Sequence, residues 1–212
     1  MAKLRLGVLV SGGGTNLQAI LDAVADERLD ADVRVVISNQ PTARALERAK
    51  LAGVPTEVIS HKEYPDRAAF DARVVARLRE ADVTHVVLAG FMRLVTPVLL
   101  DAFPWRVVNI HPALLPAFPG IHAQRQALAY GVKVSGCTVH FVDAGTDSGP
   151  VIAQATVEVR DDDTEESLAA RILVEEHHLL VGALSAMAAD RVRVVEGSPG
   201  MRPRVVVAKG RA

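Results

Sequence analysis

"LRLGVLVSGGGTNLQAI", residues 4–20, decides the fold class. Its first seven residues are almost continuously apolar where a half-exposed strand would alternate, which is the pattern of a strand covered on both faces, as in a parallel sheet. Three glycines follow at once. The segment after them, "TNLQAILDAVADE", places Leu17, Ile20, Leu21 and Val24 on one face at helical spacing. Strand, tight turn and helix thus succeed one another within about twenty residues. The same rhythm recurs outward along the chain. "VRVVIS" (33–38), "THVVLAG" (84–90) and "RVVNI" (106–110) are further apolar runs. Between them lie the helix candidates "TARALERAKLAG", which stops at Gly53 with Pro55 just beyond, and "DRAAFDARVVARLREAD". This alternation predicts a doubly wound, mostly parallel α/β sheet.

The pattern changes after residue 132. "VKVSGCTVHFV" and "VIAQATVEV" (151–159), joined by "DAGTDSGP", read as an antiparallel hairpin added to the sheet. A long helix follows over 161–190, with Asp163 or Thr164 as its cap and acids in its first turn. The last residues, with Arg191, Arg193, Arg202, Arg204, Lys209 and Arg211, read as a short strand and a solvated basic tail. No repeat or Gly/Ser/Pro-rich linker divides the chain, so residues 1–212 are expected to form a single domain. Its parts are a phosphate-binding, Rossmann-like half over about 1–110, a second half over about 111–195, and a tail over 196–212.

Half of the 212 residues are hydrophobic but only 4% are aromatic, so the core must be built from Val, Leu, Ala and Ile. With 25 acidic and 24 basic residues the chain has no overall electrostatic footprint for nucleic acid or a membrane surface. The apolar run after Lys3 and Arg5 ends at Val10, too short for a signal peptide. No stretch of about 18 apolar residues is long enough to span a bilayer. The single cysteine, Cys137, fits a reducing compartment. These features predict a cytoplasmic protein without nucleic-acid or membrane partners, and they leave a homodimer open.

The glycine turn before a helix offers backbone N–H groups and the positive helix end to an anion. A P-loop would need a Lys ahead of its Ser/Thr, and none is present. A dinucleotide fingerprint would need glycine where Leu17 stands and an acid where Ser38 and Asn39 stand. What remains is the terminal phosphate of a smaller ligand, with Thr15 and Asn16 as side-chain donors. The plainer reading is a turn that lets helix pack on strand.

The other chemistry-bearing stretch is "VVNIHPALLPAFPG", residues 107–120. An amide, Asn109, and an imidazole, His111, close a strand, and Pro112, Pro116 and Pro119 then stiffen the chain. The loop at 143–150 supplies Asp143 and Asp147. In a doubly wound sheet ligands bind beyond the carboxyl ends of the strands, where all of these are expected. A histidine beside a carboxylate suits proton transfer, and an amide can donate to a developing oxyanion. Together they serve acyl-type transfer without a protein nucleophile. Cys137 lies mid-strand and Ser11 has no visible base. His177 and His178, adjacent on a helix, point about 100° apart, and the acids beside them read as a solvated face. His140 reads as half-buried, His122 opens the helix after Gly120, and His61 and His85 show no partner. No metal is expected.

"SGGGTNLQAI", "LAGFMRLV", "NIHPALLPAFPG" and "VHFVDAGTDSGPVIAQ" closely resemble, in order from about residue 5 to 195, the folate-dependent glycinamide ribonucleotide formyltransferases of purine biosynthesis. The Asn-x-His and later Asp-x-Gly-Pro are shared by the wider formyltransferase fold, and the glycine turn with Thr-Asn narrows the likeness. The resemblance implies direct transfer of formyl from 10-formyltetrahydrofolate, as co-substrate, to the glycinamide amine. Asn109 and His111 would polarise the formyl carbonyl, and Asp147 would support His111. Gly14, Thr15 and Asn16 match the segment that grips the ribonucleotide phosphate. Glu176 matches an acid that meets the same substrate, which revises the solvated reading of that helix face. The resemblance also assigns folate contacts to Arg67, to Met92, Arg93, Leu94 and Val95, to Asn109, and to the loop Asp143, Ala144, Gly145, Thr146 and Asp147, making the second half folate-binding. Gly13 stands where an Asn is often seen and Ala113 where a Ser is common, neither a group the chemistry needs. Methionyl-tRNA formyltransferase, a formyltetrahydrofolate hydrolase, a non-catalytic phosphosugar- or folate-binding module and a dehydrogenase are the competing readings.

Overall fold

In a computed structural model, residues 3–198 and 200–209 are described. Arg211 of the expected tail lies outside them. The chain divides into two compact units, residues 1–109 and 110–212.

The first unit is built as the apolar runs require. Strands β1 (Leu4–Val10), β2 (Ala31–Ser38), β3 (Thr56–Val58), β4 (His85–Leu88) and β5 (Val107–His111) alternate with helices α1 (Thr15–Ala25), α2 (Arg44–Leu51), α3 (Arg67–Glu80) and α4 (Pro97–Ala102). All strand pairs among β1 to β5 are parallel. β1 lies between β2 and β4 and is buried at six of its seven positions, which is why its sequence does not alternate. Leu6, Leu9, Leu17, Ile20, Phe70 and Leu78 are fully buried and anchor this core.

β5 passes from the first unit into the second, and the strand order of the sheet reads β3-β2-β1-β4-β5-β6-β7. The order starts in the middle at β1, steps outward to β3, returns to β4 and continues, which is the doubly wound arrangement. In the second unit α5 (Ala123–Tyr130) precedes the antiparallel pair β6 (Val134–Phe141) and β7 (Val151–Glu158). α6 (Glu165–Ala188) is capped by Thr164, whose side chain accepts from Ser167 N while Ser167 Oγ accepts from Thr164 N. Leu168, Ile172, Leu180 and Leu184 form its buried stripe.

The region read as strand and tail differs. β8 (Val192–Val195) pairs antiparallel with β9 (Arg204–Val207), so residues 204–207 are strand where a solvated tail was expected. Arg and Val alternate over residues 191–194, and the run of three valines after Arg204 is itself β-prone, both signals that the count of basic residues concealed. Arg202 donates to the Ser148 carbonyl at 3.1 Å, tying this hairpin to the 143–148 loop.

A half-buried histidine, His85, and a buried one, His140, weaken the fold in acid. Burial, with Arg106 nearby, pushes His85 from 6.5 down to about 4. His140 moves down as well, chiefly through burial. The unfolded chain takes up these protons near pH 6.5 and the folded chain does not, so stability falls as pH drops below about 6.5. The His85 part of that loss is complete below about pH 4. The urea midpoint is expected to fall between pH 7 and pH 5, and His85→Gln should flatten that slope; an unchanged slope would contradict the assignment.

Candidate active site

In the first unit, the glycine turn joins β1 to α1. Gly14 is the N-cap of α1 in the left-handed conformation, φ 73°. A Cβ there would lie 2.5 Å from that of Ala45, so this glycine is required by the packing of α1 on α2. Gly12 and Gly13 face open space instead. The plainer reading of the turn therefore explains Gly14 alone. No side chain caps α1, so the N–H groups of its first turn, at Thr15 and Asn16, are placed as an anion site would have them. Asn16 is buried and Thr15 half-buried.

Met92–Val95 follows β4 and is pinned at both ends. Ser11 Oγ accepts from Met92 N at 2.9 Å. Buried Asp71 accepts from Thr96 N at 2.6 Å and from Thr96 Oγ1 at 2.7 Å. Met92 and Leu94 between these anchors are exposed apolar side chains. Arg93 stacks over Phe70 at 5.5 Å, and its Nε is buried without a hydrogen-bond partner among the described residues. Burial raises the Asp71 carboxyl, while the Thr96 hydrogen bonds and the charges of Arg93 and Arg67 oppose the rise. Arg67, exposed at the start of α3, thus acts on the same carboxylate as Arg93. Ser11, Asp71 and Thr96 carry no sequence signal beyond being polar residues beside the apolar runs.

In the second unit, His111 ends β5 and is buried. Its Nδ1 lies 3.3 Å from Asp147 Oδ2, and its Nε2 is 2.9 Å from the Phe118 carbonyl. Both ring nitrogens face acceptors, so a ring that donates to both carries two protons and a positive charge. Asp147 has φ 50° and its Oδ2 also accepts from Gly120 N at 2.7 Å. One carboxylate therefore joins the 143–147 loop to the end of the proline segment. His140, read as half-buried, is fully buried and brings Nε2 to 3.8 Å from Asp147 Oδ1. Its Nδ1 is held at 2.8 Å by the Phe141 carbonyl. The alternation of β6 indicated a side chain facing one way, and burial of both sheet faces removed the exposed side that reading assumed.

Asn109, half-buried, stands two residues before His111 on β5, so both side chains leave the strand on one face. Asp143 closes the loop on itself, accepting from Gly145 N at 3.1 Å and Ser148 Oγ at 2.8 Å, while Ala144, Gly145 and Thr146 are exposed. Burial, with Glu176 beside it, raises the Cys137 thiol to about 12, which keeps it from serving as a thiolate. Glu176 itself is buried on the apolar stripe of α6, in place of a solvated position. Among the described residues no group of three His, Cys, Asp or Glu side chains comes together as a metal site requires.

The ledge after His111 is held by polar side chains as well as by proline. Thr138 Oγ1 donates to the Ala113 carbonyl at 2.7 Å and accepts from Leu115 N at 3.0 Å. Gln154 Nε2 donates to the Leu115 carbonyl at 2.9 Å. Thr138→Val removes three hydrogen bonds, to Ala113 O, Leu115 N and Gln154 Nε2, and leaves the two backbone groups only their 3.2 Å bond to each other, while keeping the shape. It should cost about 2–3 kcal/mol of stability, measured by urea unfolding; a change within experimental error would show the ledge is held without it.

The sequence profile of the family described as formyl transferase matches residues 4–184. A phosphoribosylglycinamide formyltransferase from Mycobacterium tuberculosis is 45% identical over 206 residues, covering 97% of this chain and 95% of the other. The crystal structure of glycinamide ribonucleotide transformylase 1 from Symbiobacterium toebii is 51% identical, with a TM-score of 0.93 over 98% of this chain and 95% of that one. The trifunctional purine biosynthetic protein adenosine-3 of Drosophila melanogaster is 48% identical over 185 residues, 86% of this chain. The chain spans only 14% to 19% of the length of such trifunctional relatives. A buried histidine at the end of β5 paired with a half-buried aspartate, a glycine turn opening α1 and a match over nearly the whole sequence agree: the chain belongs to the formyl transferase family.

Proposed function

We propose that the protein transfers the formyl group of 10-formyltetrahydrofolate to the amine of N1-(5-phospho-D-ribosyl)glycinamide, a step of purine biosynthesis. The observation that carries this reading is the His111–Asp147 pair, 3.3 Å apart with the imidazole buried, in a chain whose one thiol is silenced by burial. The glycinamide nitrogen attacks the formyl carbon, and the tetrahedral intermediate collapses as its bond to the folate nitrogen breaks. The amine gives up one proton and the folate nitrogen takes one. Asn109 and the Nε2–H of His111 donate to the formyl oxygen as it gains negative charge. For His111 this means that the oxygen replaces the Phe118 carbonyl at Nε2. Asp147, 3.3 Å from Nδ1, holds the imidazole with Nε2 turned toward the substrate.

The remaining assignments follow the same reading. Gly14, Thr15 and Asn16 hold the ribonucleotide phosphate, and Glu176 meets the same substrate. Arg67, the Met92–Val95 stretch, Asn109 and the 143–147 loop line the folate. The two units act as one formyltransferase domain in the cytoplasm. The roles assigned to Asn109, His111 and Asp147 call on no metal, and a homodimer is left open.

The test is the stoichiometry of donor and acceptor. One formylated ribonucleotide per tetrahydrofolate formed, with donor stable when the ribonucleotide is omitted, is the expected result. Donor consumed without the ribonucleotide would mean that water is the acceptor and the reading is wrong.

A further inference from the structure

α3 buries one stripe of side chains, Phe70, Asp71, Val74, Val75 and Leu78, and Asp71 is the single carboxylate in it. Asp71 is 1% exposed, and burial pushes its carboxyl above the usual 3.8. A carboxylate withdrawn from water needs donors from the protein. Two come from one residue, since Oδ2 accepts from Thr96 N at 2.6 Å and from Thr96 Oγ1 at 2.7 Å.

Thr96 is drawn away from another role by these bonds. It is the N-cap of α4, with Pro97 in the first turn, which is the sequence of a well-capped helix. Its side chain nevertheless makes no cap hydrogen bond, and its hydroxyl is turned to Asp71 instead. An apolar residue at 71 and a capping Thr96 would join α3 to α4 without burying a charge or leaving the helix end bare. The stability of α4 therefore does not account for the arrangement.

What the two bonds fix is the end of the Met92–Val95 stretch. Phe70, beside Asp71 on α3, fixes its beginning. The Phe70 ring stacks on Phe91 with centroids 6.4 Å apart, and the Arg93 guanidinium lies over it at 5.5 Å. Ser11 Oγ takes the Met92 N–H on the other side. Adjacent residues of one helix thus hold both ends of a stretch whose Met92 and Leu94 side chains are exposed between them.

We propose that Asp71 is a positioning residue for the folate donor, holding Met92–Val95 through Thr96 in the shape that binds it. The proposal rests on the formyl-transfer reading, in which that stretch lines the folate. Asp71 acts through Thr96 and does not touch the donor. Its removal weakens donor binding and spares the ribonucleotide, whose phosphate is assigned to Gly14, Thr15 and Asn16.

The experiment measures kcat, KM for 10-formyltetrahydrofolate and for the ribonucleotide, and the dissociation constant of tetrahydrofolate. It compares the full chain with Asp71→Ala, Asp71→Asn, Thr96→Val and Thr96→Ser. Asp71→Ala should raise the donor KM and the tetrahydrofolate dissociation constant about tenfold, the factor that one lost hydrogen bond to a charged group supplies. Thr96→Val keeps the backbone bond and should raise both about threefold. Asp71→Asn retains an oxygen that accepts from Thr96, and Thr96→Ser retains the hydroxyl, so both should stay close to wild type. The ribonucleotide KM should move in none of the four.

An unchanged donor KM in folded Asp71→Ala would overturn the proposal. So would a rise that Asp71→Asn does not relieve, or one shared equally by the ribonucleotide, as lost packing alone would produce. If Asp71→Ala does not fold, Thr96→Val decides, and an unchanged donor KM there overturns the proposal. A wild type that neither binds tetrahydrofolate nor transfers formyl is a different failure: it removes the formyl-transfer reading, and this proposal with it.

Discussion

Asp147→Asn is expected to lower kcat roughly a thousandfold, within the range that a positioned proton-transfer group contributes, while leaving the fold intact. Asn has nearly the shape of Asp, and its amide oxygen can still accept from Gly120 N, which lies 2.7 Å from the carboxylate in the native chain. What it cannot do is bear a negative charge 3.3 Å from His111 Nδ1. With neutral Asn the ring loses the carboxylate that balances positive charge on it during transfer, and the formyl oxygen is left with a weaker donor. The loss should fall on kcat, with KM for both substrates changed far less, because the interaction is made with charge that develops on the way to the intermediate. The urea midpoint should stay close to that of the wild type. A thousandfold loss accompanied by unfolding would show that Asp147 serves the loop and not the reaction.

Asn109→Ala is expected to lower kcat a few hundredfold, the loss seen when one donor to an oxyanion is removed. Asn109 shares a strand face with His111, and the strand's rigidity fixes the angle between amide and imidazole. Asn109→Ser should recover only part of the rate, since a hydroxyl on a shorter side chain reaches less far. Full activity in Asn109→Ala would leave His111 as the sole donor.

The sequence revealed most where a local pattern reports burial directly. β1 was readable to the residue because both its faces are covered and no alternation competes with the apolar run. β5 and the β6–β7 hairpin were legible for related reasons, the first from its apolar run and the second from the Gly/Asp/Pro loop between two strand-like segments. The His111–Asp147 juxtaposition followed from the expectation that both lie at strand ends, and the structure places them together.

What escaped was long-range or disguised by composition. The Thr138 and Gln154 clamp on the ledge joins residues 16 to 39 positions apart, and nothing in either segment announces it. Asp71 looked like one more charge on an amphipathic helix, yet it is buried and holds Thr96. β9 was hidden because Arg204 and the basic residues around it suggested solvation before the run of three valines after it was weighed. Glu176 is the instructive case. Leu168, Ile172, Leu180 and Leu184 recur every four residues, and Glu176 occupies the missing place in that series. Residues four apart share a helix face, so the carboxylate sits on the buried stripe. A carboxylate on an apolar stripe calls for a partner or a ligand, and that spacing was available in the sequence.

The most direct test of the account is a double-mutant cycle on kcat for formyl transfer to the ribonucleotide, using Asp147→Asn, His111→Gln and both together. If His111 and Asp147 act as one unit, the double variant is about as slow as the slower single variant, because either change already disables the pair. If the two losses multiply, the residues contribute independently, and the coupling on which the proposed chemistry depends is absent.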